Sequence, residues 1–135
     1  MIQKITEEEV LATGIRSVVE DLRIRDDVLA LILFGSAARC QQRPFSDIDL
    51  CIVTAGDIPE NERLDLKGYG SQTIEIHLLD ELPIAIRFRV IRDGKLIFCK
   101  DGLAFHRIVS DIIQGYLDSA PLIDMHSRHA IGISR

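Results

Sequence analysis

Val28 to Phe34 reads VLALILF, seven apolar residues without a break, and it ends on Gly35-Ser36. Ten residues later Asp47 and Asp49 stand one residue apart, at the head of a second apolar run through Ile48, Leu50 and Ile52. A short unbroken apolar run closed by a turn residue is the pattern of a strand buried on both faces. The second run reads as a strand whose side chains alternate, so Asp47 and Asp49 share one face and the isoleucines and Leu50 pack behind them. Two carboxylates so close repel each other, and a divalent cation is the usual remedy. Hard oxygen ligands favour magnesium or manganese. A calcium loop of EF-hand type is excluded, because its glycine and closing glutamate are missing at the required offsets.

The residues between the runs carry complementary chemistry. Gly35-Ser36 follows the first strand and precedes a helix start at Ala37-Ala38, and free N–H groups at a helix start form an anion site. Glycine lets a phosphate approach the backbone, Ser36 adds a hydroxyl, and Arg39 and Arg43 add positive charge. A Gly-Ser turn or an Asp-x-Asp pair alone is ordinary surface; their joint occurrence at this spacing, each tied to an apolar run, carries the site reading.

The stretch GSAARCQQRPFSDIDL resembles the active-site signature of the nucleotidyltransferase superfamily related to DNA polymerase beta. It is most similar to the minimal nucleotidyltransferases, small single domains encoded beside helical HEPN-domain proteins in toxin–antitoxin pairs. Gly35, Ser36, Ala38, Arg39, Arg43, Pro44, Ser46, Asp47, Ile48, Asp49 and Leu50 fit that pattern, whereas Ala37 and Cys40 replace a frequent arginine and a frequent glycine. The resemblance places a third metal-binding carboxylate, usually aspartate, on the next strand. That strand is Thr73 to Leu79, an alternating stretch in which Glu75 shares a face with Thr73 and His77. Glu75 is the matching position. It is preferred over Asp57, Asp65 and Asp80, which lie in or beside turns; His77 could approach the site as well, but the expectation is that it faces solvent.

A chain of 135 residues suffices for one domain, 1–135, with 122–135 expected as a flexible tail. The net charge of −5 argues against stable DNA binding, which calls for a basic excess. Cys40, Cys51 and Cys99 lack metal-type spacing, and with no secretory signal or long apolar span the expectation is a cytoplasmic protein without a membrane anchor. Thr6 and Glu9 form a capping box ahead of a helical apolar stripe, which predicts a helix over 7–23. Thr54 to Gly70 reads as a connection with one short helix around Glu60 to Leu66. Glu81 to Arg92 alternates as a strand would yet also satisfies a helical face, and the resemblance favours the helix. Lys95 to Cys99 reads as a last strand, and Leu103 to Asp118 as a helix that Pro121 interrupts.

The expected fold is α/β (α+β), a small mixed sheet with helices packed on one face, as in polymerase beta-like nucleotidyltransferases. The resemblance implies AMP transfer from ATP to a hydroxyl, with a HEPN-type partner toxin as acceptor. Asp47, Asp49 and Glu75 would hold two Mg2+ ions, with Mn2+ admissible, while Gly35, Ser36, Arg39 and Arg43 hold the phosphates. A homo-oligomer is also admissible. Two other readings stand beside it: an antitoxin that neutralises its partner by occlusion without catalysis, and an adenylyltransferase acting on a small molecule.

Overall fold

In the computed structural model, residues 2–6, 8, 14–35 and 48–131 are described, with side chains through residue 119. Strand β2, Val28–Phe34, forms where the sequence is continuously apolar, and its first six residues are buried. It lies at the centre of a five-stranded sheet ordered β1-β5-β2-β3-β4. Here β1 is Gln3–Lys4, β3 is Ile48–Thr54, β4 is Ile74–Leu78 and β5 is Lys95–Cys99. Strand β2 pairs antiparallel with β3 and with β5, whereas β3–β4 and β1–β5 are parallel, so the sheet is mixed.

The side chains of β2 and β3 alternate between two cores. Leu31, Leu33, Ile48, Leu50 and Ile52 pack with Ile15, Val19, Leu22, Ile58 and Leu66 on one face. Ala30, Ile32, Cys51 and Val53 pack with Val90, Ile91, Phe105 and Ile112 on the other. The first core is closed by helices α1, Arg16–Arg23, and α2, Glu60–Lys67; the second by α3, Ile84–Asp93, and α4, Gly102–Ile131. Helices therefore cover both faces of the mixed sheet where the sequence suggested one. The reason lies in β2 and β3, whose residues are apolar at odd and even positions alike and leave neither face fit for water.

A parallel pair needs a crossover, and β3 returns to β4 through α2, the short helix expected in the Thr54–Gly70 connection. Arg63 of α2 fixes this crossover. Its guanidinium donates to Asp80 at 2.7 and 2.8 Å, to Asp57 at 3.2 Å and to the carbonyl of Ile58 at 3.2 Å. At the other end of α2, Asp65 accepts from Arg25 at 2.9 Å, and Arg25 also grips Asp27 at 2.7 and 2.9 Å.

Two helix boundaries differ from expectation. The helix predicted over 7–23 does not run unbroken, because Gly14 takes φ +71° and α1 starts only at Arg16. A left-handed residue cannot sit inside a right-handed helix, and glycine adopts that conformation without steric cost. At the other end, α4 runs past Pro121 to Ile131. A proline removes one hydrogen bond and bends a helix, and the long apolar stripe before it carries the helix through.

Candidate active site

The β2–β3–β4 register brings three side chains into a row across the sheet. Phe34 stands opposite Asp49, and Asp49 stands opposite Glu75. Alternation puts Asp49 on the face of Cys51 and Val53, and it puts Glu75 and His77 on that same face of β4. His77 completes a compact group, with Nε2 lying 3.5 Å from Asp49 Oδ1 and 3.5 Å from Glu75 Oε1. The ring of Phe34 meets the imidazole edge-on, with centroids 5.3 Å apart. That contact gives His77 a fixed support on its apolar side.

Exposure divides the labour. Asp49 and His77 side chains are 25% and 26% exposed, set into the sheet, while Glu75 on the edge strand is 57% exposed. Partial burial pushes the Asp49 carboxyl above the ordinary carboxylate range; the nearby charge of Glu75 pushes the same way, and His77 opposes both. Such a carboxylate gains most from a cation that restores its charged form.

The donor set meets the requirements of such a cation. Asp49, Glu75 and His77 each offer one ligand atom, and these atoms lie within 4.8 Å of one another. The two carboxylates suit a hard divalent ion such as magnesium or manganese, and the imidazole beside them suits later ions such as zinc.

Gly35 sits directly against this group. It takes φ +78°, and a Cβ built on it would come within 2.5 Å of Asp49 Oδ2. The glycine thus serves two needs at once, a left-handed turn at the end of β2 and room for a carboxylate beside the backbone. Of the residues proposed from sequence, the structure brings together Gly35, Asp49 and Glu75. Ser36, Arg39, Arg43 and Asp47 lie outside the described residues.

The acids set aside in favour of Glu75 are engaged elsewhere, Asp57 and Asp80 with Arg63 and Asp65 with Arg25. His77 was expected to face solvent and instead joins the carboxylates. Its period-two spacing from Glu75 was legible, but its contact with Asp49 depends on the β3–β4 register, which no local pattern specifies.

Comparison with known proteins bears on the fold and the family. A protein of Methanocaldococcus jannaschii named as a protein adenylyltransferase is 32% identical over 71 residues, which cover 53% of this chain. The match spans about half of that relative, 56% of its length. Among solved structures, a chain from a toxin–antitoxin complex with AMP-PNP superposes with a TM-score of 0.62 at 17% identity, covering 91% of this chain and 99% of that one. A second, from a complex of a tri-AMPylated Shewanella oneidensis HEPN toxin with its MNT antitoxin, gives 0.60 at 17% identity, covering 88% and 98%. These likenesses establish the fold. Residues 17–103 match the family described as polymerase beta, nucleotidyltransferase. The chain, which carries an acid pair on adjacent strands behind a strand-ending glycine, therefore belongs to the polymerase beta nucleotidyltransferase family.

Proposed function

We propose that this chain transfers AMP from ATP, in the presence of Mg2+, to a hydroxyl on a HEPN-domain partner protein, and that it thereby acts as an antitoxin. The observation that carries the reading is the direct cross-strand pairing of Asp49 with Glu75, with Gly35 packed on the Asp49 carboxylate. That geometry supports a reading in which the pair would hold a metal beside the turn where the triphosphate would lie. The structural neighbours, one solved with AMP-PNP and one with an AMPylated HEPN toxin, point to the same donor and the same kind of acceptor.

In this reading Asp47, Asp49 and Glu75 hold the metal, and Gly35, Ser36, Arg39 and Arg43 hold the phosphates. Held by these carboxylates, a divalent cation would supply charge neutralisation to the triphosphate and would lower the pKa of the attacking hydroxyl. Asp49, held on the interior strand β3, would keep its carboxylate oxygens fixed for the cation. Glu75, on the edge strand and more exposed, can fold its longer side chain back toward the same point. The acceptor must be positioned by a docked protein, since positioning supplies most of the catalysis in phosphoryl-type transfer.

The test mixes the chain with its HEPN-type partner, ATP and Mg2+ and follows the partner's mass. Increments of one AMP unit are expected; they should vanish with a chelator, and Asp49→Asn should abolish them. A partner that stays unmodified while Asp49→Asn neutralises it fully would replace catalysis with occlusion.

A further inference from the structure

His77 stands in a position that oxygen-ligand magnesium chemistry does not require. Its Nε2 is equidistant, at 3.5 Å, from one oxygen of Asp49 and one of Glu75, and the imidazole is held there by Phe34. For metal–ligand bonds of about 2.1 Å, two ligands are separated by about 3.0 Å at a right angle and about 3.4 Å at the tetrahedral angle. The nitrogen is thus already spaced from both carboxylates as a third ligand would be. With its side chain 26% exposed, the ring also has an open approach from solvent.

We propose that His77 is a metal ligand in this site, and that its nitrogen moves the preference of the site away from Mg2+ toward divalent cations that accept imidazole, Mn2+, Co2+ or Zn2+. The chemical reason is that Mg2+ takes oxygen ligands in near-ideal octahedra, whereas the later ions bind nitrogen well and tolerate lower coordination. Parallel pairing of β3 with β4 builds the ligand set. Asp49 opposite Glu75 sets the two oxygens, and the next residue on the same face of β4, two positions on, supplies the nitrogen. The inference rests on the proposed reading of this group as the metal site, and it concerns which ion the group selects.

Co2+ is the probe, titrated into the nucleotide-free protein and followed by its visible absorption, with Mg2+ binding measured by calorimetry. Wild-type protein should bind Co2+ at least about tenfold more tightly than His77→Gln, with Mg2+ affinity changed by less than about twofold. The Co2+-loaded wild type should also show a strongly shifted imidazole N–H proton resonance that is lost in the variant. His77→Asp, which restores an oxygen ligand, should lower the ratio of Co2+ to Mg2+ affinity below that of wild type. Equal loss of both ions in His77→Gln, or no shifted imidazole resonance in the wild type, would overturn the proposal. The resonance is read on the wild type, so the test holds even where a variant fails to fold. Binding is measured without nucleotide. Absent AMP transfer with His77-dependent Co2+ binding would defeat only the proposed reaction, and Mg2+-supported transfer without the imidazole signal would defeat only this inference.

Discussion

Gly35 is where the end of β2 meets the acid strand β3, because any side chain there would meet the Asp49 carboxylate. Gly35→Ala should destabilise the protein by about 1–2 kcal/mol through its left-handed backbone alone. It should also displace the Asp49 carboxylate, whose Oδ2 would lie 2.5 Å from the new Cβ. Metal affinity and AMP transfer should therefore fall by more than the stability change explains, which parallel denaturation and binding curves would reveal. Asp49 behaves oppositely. Its native pKa is raised by burial and by Glu75, so the native state holds its proton more tightly than the unfolded chain does. Metal-free stability should then decrease as pH rises from the unfolded value, about 3.9, through the raised native one. Asp49→Asn should give a higher Tm than wild type at neutral pH without metal, and the gap should close in acid. A lower Tm for the variant across the whole range would refute this account. The need for a glycine before the turn and for paired acids was legible from residue types and spacing. Their mutual contact was not, since it depends on Phe34 and Asp49 standing opposite each other in an antiparallel register.

At the scale of elements, the ambiguous segments were those where local pattern served two periods. Ile84, Phe88 and Ile91 fit a helix while Ile84, Ile86, Phe88 and Val90 fit a strand; the helix forms, opened by Pro83 and held by Arg87, which donates to the carbonyls of Leu82 and Asp80 at 2.6 and 3.0 Å. Strand β2, by contrast, has the short, unbroken apolar run expected of a doubly buried strand, and it forms as one. Arginines also act as fasteners between elements. Arg25 ties the α1–β2 turn to α2 through Asp27 and Asp65 and lies over the Tyr69 ring at 5.8 Å. The hydrogen bonds from Arg25 hold the Asp27 carboxyl below its usual range. Its stabilisation is therefore present above the unfolded value, about 3.9, and is lost as pH falls through the depressed native one. Asp27→Asn should cost about 1–3 kcal/mol at neutral pH and progressively less in acid, as chemical denaturation across pH would measure. A cost independent of pH would mean that packing, and not charge, carries the contact.

At the scale of the whole molecule, two cores share one sheet. Leu50 and Ile32 are both fully buried, yet they belong to opposite faces, Leu50 with α1 and α2 and Ile32 with α3 and α4. The two residues sit on neighbouring strands, whose pairing runs through Leu33↔Leu50 and Ile32↔Cys51. Loss of either core therefore exposes the same ladder, and neither half has a sheet of its own to keep. Truncating a large buried aliphatic side chain to alanine costs about 2–5 kcal/mol through lost transfer energy and the cavity left behind. Leu50→Ala and Ile32→Ala should each shift a single unfolding transition by that amount, with the denaturant slope unchanged and the same midpoint by far-UV and near-UV probes. Two resolved transitions in either variant would show that the faces fold independently. The site should survive in both variants while they remain folded, because the Asp49–Glu75 spacing is set by backbone pairing, with Ile48 N–H donating to the Thr73 carbonyl at 2.8 Å. Metal affinity measured well below the unfolding midpoint should stay within about twofold of wild type, because neither Leu50 nor Ile32 supplies a ligand atom and the backbone ladder that spaces the ligands is retained. A proportionate loss of metal binding with stability would instead mean that core packing, and not the strand register, holds the two carboxylates together.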